Sequence, residues 1–157
     1  MVYLRIIAWV FPFLLIMTIG EAKTWEIKKG SGLSQIKQAV ALAGESDTLL
    51  VHEGLYLESK IEINKPLSII GVNNPIIDSE GGEEIFVVFA DDVLISGFIL
   101  KNIGVSYIED RAAIKLNEVK GAVIEDNRLI NAFFGIYIKN SADCIIRNNV
   151  VKGEAAD

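Results

Sequence analysis

Apolar residues follow two different periods along this chain. Residues 33–43 carry them at helical spacing, on a stripe that consists of Leu33, Ile36, Val40 and Ala43. This stripe predicts an amphipathic helix over residues 34–43, with Ser31 or Ser34 as N-cap and Gly44 as C-cap. A short strand is predicted just before it, around Trp25 to Ile27.

Beyond the helix, apolar and polar residues alternate in runs of only three or four. Glycine and "NNP" or "GG" turns separate these runs, whose apolar pairs include Leu49 with Val51, Ile61 with Ile63 and Leu67 with Ile69. A period of two bounded by turn residues is typical of short strands.

The later strands repeat. The segments "LISGFILKN" (94–102), "VIEDNRLIN" (123–131) and "IIRNNVVKG" (145–153) align without gaps, and their starts lie 29 and 22 residues apart. A second apolar strip stands ten residues ahead of the second residue of each segment: Ile85 before Ile95, Ile114 before Ile124 and Ile136 before Ile146. Both strips therefore share a period near 22, with seven additional residues in the first interval, around "GVSYIEDR".

A period of this length, built from very short strands and tight corners, predicts an all-β fold: a single-stranded, right-handed parallel β-helix. Each coil buries its apolar face only by stacking on the next coil. We expect residues 23–48 to form an N-terminal cap, with the helix covering the first strand edges, and residues 49–157 to form the coils. The last apolar strand has no partner in the sequence, so we expect the chain to be the start of a longer solenoid.

Asparagines recur at the corners of the repeat. Asn127 aligns with Asn149, and Asn102 aligns with Asn131. Stacked inward asparagines bond the backbone and one another, so we interpret these four residues as a structural ladder. The neighbouring Asp126 tolerates the left-handed backbone that such a corner requires.

The N-terminus predicts export. Arg5 precedes an apolar run that ends at the small residues Gly20 and Ala22, which is typical of a cleavable signal peptide over residues 1–22. An uncleaved anchor helix is the alternative. We expect a periplasmic or secreted protein without stable membrane insertion after cleavage. The net charge of −6 argues against nucleic acid as a partner.

Several motifs resemble one known family. "LSQIKQAVALAGESDTLLVHEGLYLE" and "INKPLSIIGVNNPIID" are common to many β-helices, whereas "SYIEDRAAIKL" followed by "NAFFGIYIKNSADCIIRNNVVKG" is similar to the NosD family. These are periplasmic, pectate-lyase-like β-helices of the carbohydrate-binding and sugar-hydrolase repeat type. The resemblance implies a non-enzymatic docking role in maturation of the copper centre of nitrous oxide reductase. By the same resemblance, the expected partners are nitrous oxide reductase and components of an ABC transporter. The resemblance also implies more coils than this chain contains.

The residues themselves favour no cofactor. Copper sites use Cys, Met and His side chains. After cleavage of the signal peptide the chain retains one cysteine, Cys144, and one histidine, His52, and no methionine. Cys144 aligns with Val93 and Ala122 and is expected to fill the core, while His52 is expected to be an exposed turn residue. Copper association is therefore implied by the resemblance alone.

The additional residues supply the candidate contact surface. An insertion into one coil builds a surface feature, and here it carries Tyr107, Asp110 and Arg111, one coil below Tyr137. A solvated Asp110–Arg111 pair is the alternative. Either Phe133 or Phe134 is expected to reach the surface, or to pack against this loop, because a thin core does not readily take both.

The sequence leaves two further function classes open. These are a polysaccharide lyase, hydrolase or epimerase, and a non-catalytic carbohydrate-binding repeat protein with polysaccharide as partner. No group of residues forms a convincing catalytic constellation, which favours a protein that is not an enzyme.

Overall fold

The computed structural model describes residues 21–106 and 108–153. The signal peptide predicted for residues 1–22 lies outside these residues, except for its last two positions. Within the described ranges the chain forms three parallel sheets, and no helix there is long and apolar enough to span a bilayer.

After its first strand, the chain visits the three sheets in turn, and each complete coil contributes one strand to each sheet. Sheet A comprises β1 (Thr24–Ile27), β2 (Thr48–Val51), β5 (Ser68–Gly71), β8 (Leu94–Ser96), β11 (Val123–Glu125) and β14 (Ile145–Arg147). Sheet B comprises β3 (Leu55–Leu57), β6 (Ile76–Asp78), β9 (Ile99–Lys101), β12 (Arg128–Ile130) and β15 (Val150–Lys152). Sheet C comprises β4 (Ile61–Ile63), β7 (Phe86–Val88), β10 (Ala112–Asn117) and β13 (Phe134–Lys139). The predicted all-β parallel solenoid, with about six turns in sheet A, is confirmed.

Inward side chains form continuous apolar stacks along the axis of the solenoid. In sheet A the register places in one column Leu49, Ile69, Ile95, Ile124 and Ile146. The first four of these residues are fully buried. Because each coil stacks only on the coils before and after it, burial in one coil depends on the neighbouring coils.

The predicted repeat register is correct for sheets A and B. Val123 pairs with Leu94 and with Ile145, as the aligned segments require. The second apolar strip was wrong at one position, because Phe86 rather than Ile85 pairs with Ile114. Ile85 is nevertheless buried, at the corner immediately before β7. Because two successive residues are both apolar and buried here, the pattern of apolar residues does not show which of them occupies the inward strand position.

The single helix of the described residues, α1 (Ile36–Leu42), packs against β1, β2 and β4 at the N-terminal end of the solenoid. It buries Ile36, Ala39 and Val40, as the apolar stripe predicts. Its caps differ from the predicted serines and Gly44, since Gln35 and Ala43 occupy the cap positions without a side-chain capping bond.

A residue from the following coil replaces the missing N-cap. The Glu58 carboxylate accepts hydrogen bonds from the backbone N–H groups of Ile36 and Lys37, both at 2.9 Å. At the other end of α1, the Lys65 ammonium donates to the Ala43 carbonyl at 2.6 Å. Negative charge at the N-terminus and positive charge at the C-terminus both stabilise the helix dipole.

The inward face of the last described turn is open. Ile138, Ile146 and Val151 continue the buried columns of the three sheets, yet each is 40–53% exposed. The expected uncovered apolar edge is therefore present in the structure. Further coils beyond it remain a prediction.

Candidate functional site

Asn127 lies completely buried at the corner between β11 and β12. Its side-chain oxygen accepts the backbone N–H of Phe98 at 3.0 Å, and its amide nitrogen donates to the Ile95 carbonyl at 3.1 Å. The same nitrogen donates to the side-chain oxygen of Asn149 at 3.1 Å. The Asn149 oxygen also accepts the backbone N–H of Asn127, so the two asparagines join consecutive coils.

The second pair lies at the next corner, after β9 and β12. Asn102 and Asn131 both adopt the left-handed backbone conformation, with φ of 58° and 53°. The Asn131 amide donates to the Asn102 side-chain oxygen at 3.3 Å, and the Asn102 amide donates to the Asp78 carboxylate at 2.9 Å. Asp126, with φ of 57°, adopts the left-handed conformation expected of it.

The additional residues of the repeat all fall between β9 and β10 and form a loop over residues 104–111. Gly104 anchors the start of this loop, and its N–H donates to the Gly82 carbonyl at 2.9 Å. A Cβ at Gly104 would stand 2.2 Å from the Gly81 carbonyl oxygen, so only glycine permits this approach. Tyr107, one of the predicted contact residues, lies outside the described residues.

Asp110 and Tyr137, which the sequence placed on adjacent coils, meet in the structure. The Asp110 carboxylate lies beside the Tyr137 phenol, and hydrogen bonding to this carboxylate together with its charge raises the pKa of Tyr137 above its ordinary value. The loop therefore lies next to β13 at this point.

Arg111 does not pair with Asp110, its neighbour in the sequence. The Arg111 guanidinium donates twice to the Glu109 carboxylate, with both distances 3.2 Å, and this pair is exposed. Whether the loop contacts a partner or is an ordinary solvated loop stays a prediction.

Three aromatic residues form a surface that we call the aromatic patch: Phe133, Phe134 and Tyr137. The rings of Phe133 and Phe134 meet edge to face with centroids 4.7 Å apart, and the Phe134 and Tyr137 centroids lie 6.1 Å apart. Phe133 is 62% exposed and Phe134 is 37% exposed. Phe134 pairs in register with the fully buried Ala112, so on this last described turn it occupies an inward position, as Ile138 does. Phe133, at the corner before β13, is the more exposed of the two phenylalanines.

A partly buried ion pair lies beside the patch, on the preceding coil. Lys115 lies beside Tyr137 in the parallel register, and its ammonium stands 5.7 Å from the ring centroid. The same ammonium donates to the Glu84 carboxylate at 3.0 Å. Neither Lys115 nor Glu84 was predicted as a site residue. The alternation along β10 nevertheless places Lys115 on the outward face of this strand, and the 22-residue repeat places Lys115 next to Tyr137.

The two residues with copper-binding chemistry are separated and engaged elsewhere. His52 is half-buried rather than exposed, because its imidazole bonds to the Glu26 carboxylate. Cys144 packs partly against the core, as predicted, and contacts the Ala142 carbonyl. His52 follows β2 and Cys144 precedes β14, four ladder steps or ~19 Å along the axis. Residues 21–106 and 108–153 contain no group of three His, Cys, Asp or Glu side chains able to hold a metal, so these residues do not fit a copper site.

The family model described as "Periplasmic copper-binding protein (NosD)" matches residues 40–156, which is more than half of the chain. No curated protein and no solved structure matches the sequence.

Proposed function

The chain belongs to the NosD family of periplasmic copper-binding proteins, and on that premise we propose that it acts as a docking factor in maturation of the copper centre of nitrous oxide reductase. The observation that carries this proposal is the aromatic patch beside the loop over residues 104–111. A periplasmic location follows from the family description and agrees with the export signal predicted from the sequence.

The aromatic patch has the composition of a protein-binding surface. Aromatic side chains are enriched at the centres of interfaces, where a few residues supply most of the binding free energy. Complete burial of one phenylalanine contributes about 1.5–3 kcal/mol, and Phe133 has more than half of its surface exposed. Ile108, which is 96% exposed on the adjoining loop, adds further apolar surface.

The patch has contacts that order it before any partner arrives. Asp110 of the loop lies beside the Tyr137 phenol, and the Lys115 ammonium stands 5.7 Å from the centroid of the Tyr137 ring. Side chains that are already ordered lose less conformational entropy on association. This support therefore favours docking of a preformed surface over folding of a flexible loop on its partner.

Docking, rather than copper coordination by the described residues, is the mechanism that the donor chemistry favours. His52 and Cys144 are too far apart to share an ion, and each already has a hydrogen-bonding partner. In this mechanism the chain orients the reductase, or components of the ABC transporter, while copper is bound by other groups.

The test compares binding of purified nitrous oxide reductase to the full chain and to its variants. We expect the double variant Phe133→Ala with Phe134→Ala to raise the dissociation constant at least tenfold, which corresponds to a loss of about 1.4 kcal/mol in binding free energy. The matched control is Leu55→Ala with Leu57→Ala, because these residues are similarly exposed on the outer face of sheet B. Equal binding by wild type and the phenylalanine variant would refute the docking role of the patch.

A second measurement separates docking from metal binding. In cells that depend on this chain, we expect the phenylalanine variant to lower the copper content of the reductase. We expect His52→Ala with Cys144→Ser to leave that content unchanged. A loss of reductase copper in the His52 and Cys144 variant would contradict the proposed mechanism.

A further inference from the structure

The outer face of sheet C carries opposite charges on either side of its second strand, β7. Glu62 on β4 and Lys115 on β10 both pair in register with Val87 on β7, so each lies one ladder step from it. Neighbouring strands stand about 4.8 Å apart, so these two charged positions are separated by ~10 Å along the axis of the solenoid. A half-turn about the direction of β7 exchanges the levels of β4 and β10, and it therefore places an acidic position where a basic one was.

A second column of outward residues has the same symmetry without charge. Phe89 follows β7 directly, and its N–H donates to the Ile63 carbonyl at 2.9 Å. Its ring is 46% exposed. Continuing the register by one residue places Asn64 beside Phe89 on the preceding coil and Asn117 beside it on the following coil. An exposed aromatic ring thus lies at the centre of this face, with one carboxamide on each side.

The charges of the face are only partly neutralised within the chain. Lys60 pairs with Glu83 at 3.1 Å, and Lys115 pairs with Glu84 at 3.0 Å. Glu62 is exposed, and within residues 21–106 and 108–153 it makes no ion pair. An ammonium group has three donors, so Lys115 retains the capacity to bind a second carboxylate. A Glu62 carboxylate from a facing copy would supply it.

The hollow beside α1 and the loop beside β10 are complementary as well. The hollow encloses about 430 Å³ between α1 and β4, with Val40 and Ala41 on its helix side. Its charged lining consists of three lysines and one acid: Lys37, Lys60, Lys65 and Glu62. The loop presents Ile108, which is 96% exposed, followed by Glu109, which pairs with Arg111, and by Asp110. The half-turn that exchanges β4 with β10 brings this apolar and acidic loop of one copy toward the basic hollow of the other.

We propose that two copies of this chain associate face to face through sheet C, with antiparallel solenoid axes and a two-fold axis parallel to β7. Glu62 of each copy then faces Lys115 of the other, and Phe89 packs against its own counterpart. A two-fold interface uses the same patch on both subunits and must therefore be self-complementary, as this face is. A partner of strongly acidic or basic character would instead require a face with an excess of one sign.

Sedimentation equilibrium of the full chain tests the association. We expect a monomer–dimer equilibrium whose dissociation constant rises on adding salt, because ion pairs form between the copies. Phe89→Asp places two carboxylates together at the two-fold axis, and Glu62→Lys sets a lysine against Lys115 of the other copy. Each substitution should raise the dissociation constant at least tenfold. A chain that remains monomeric up to its solubility limit would overturn the proposal.

Matched controls locate the interface. Leu57→Asp makes a similar change at a side chain that is 53% exposed on the outer face of sheet B, and Glu53→Lys reverses an exposed charge outside sheet C. Both controls should dimerise like wild type. Melting temperatures of all four variants show whether each remains folded. A dimer that Phe89→Asp and Glu62→Lys leave intact, or that the controls weaken equally, would refute association through sheet C.

The association does not rest on the proposed docking function. Ile108 borders both surfaces, so a second copy and the reductase compete for it. Phe89→Asp leaves Phe133 and Phe134 in place, and this variant should therefore bind the reductase at least as tightly as wild type. Dimerisation is read from sedimentation and docking from the Phe133 and Phe134 variant, so failure of one proposal is distinguishable from failure of the other.

Discussion

Replacing Asn127 with alanine removes three hydrogen-bonding contacts from the buried corner between β11 and β12. The Phe98 N–H loses its acceptor, and the Ile95 carbonyl loses a donor. Asn149 loses the amide contact that joins the two coils. The substitution therefore tests whether the stacked asparagines stabilise the solenoid.

The magnitude follows from the burial of each group. A buried N–H left without an acceptor costs about 1–3 kcal/mol, and each remaining bond contributes roughly 0.5–1.5 kcal/mol net. Because the removed side chain is small, adjustment of the corner offsets part of this loss, and we expect Asn127→Ala to reduce the free energy of unfolding by about 2–4 kcal/mol. Asn149 is only half-buried, so water replaces its partners, and Asn149→Ala should cost about 0.5–1.5 kcal/mol.

The assay is equilibrium unfolding in urea followed by circular dichroism. A lower midpoint with an unchanged slope reports a loss of stability rather than a change in the unfolded state. Asn64→Ala is the control, because Asn64 is exposed, and such surface changes usually stay within about 0.5 kcal/mol. If Asn127→Ala is no more destabilising than this control, the structural interpretation of the asparagines is wrong.

Three further changes test the N-terminal cap and the loop. We expect Glu58→Ala to lower the free energy of unfolding by about 1 kcal/mol, measured in urea, because two N–H groups of α1 lose their acceptor; no change would show that water caps the helix equally well. Asp47 accepts hydrogen bonds from the Lys23 N–H, the Trp25 indole and the Gly44 N–H, and these bonds lower its pKa below the ordinary value of 3.8. Its ionised form therefore stabilises the fold above that pH, and the difference in melting temperature between wild type and Asp47→Asn should shrink as the pH falls from 7 to about 3; a constant difference would contradict the assignment. Gly104→Ala should displace the loop and thereby weaken binding of the reductase. Gly81→Ala is the control: Gly81 has a φ of 78° and open space at its Cβ position, so this substitution should mainly lower stability. Undiminished binding by the Gly104 variant would show that the position of the loop is unimportant.

The repeat made most of the fold predictable from the sequence. In a parallel solenoid, each inward residue must stack on a residue of similar size, so the same pattern recurs once per coil. Alignment of three segments was therefore sufficient to place Val123 between Leu94 and Ile145. The exception at Phe86 arises at a corner where two successive residues are buried, so the alternation no longer identifies the inward position.

The details that the sequence did not predict depend on contacts between coils or on the path of a loop. Glu58 caps α1 from 22 residues away, whereas capping rules consider only the residues next to a helix. Arg111 contacts Glu109 instead of its direct neighbour, because the loop turns their side chains toward each other. His52 lies beside Glu26 because β1 and β2 are adjacent, a pairing that the repeat does not include.

The direction of the asparagine bonds also bears on cooperativity. The backbone N–H of Phe98 is satisfied only when Asn127 of the following coil is folded, and the N–H of Asn127 is satisfied only by Asn149 of the coil after that. Each coil thus depends on the coil that follows it. These hydrogen bonds add to the free energy of the interface between neighbouring coils, which largely determines the stability of a solenoid. Opening of the coil that carries Asn149 should therefore release the amide of Asn127 to exchange with solvent before the amide of Phe98.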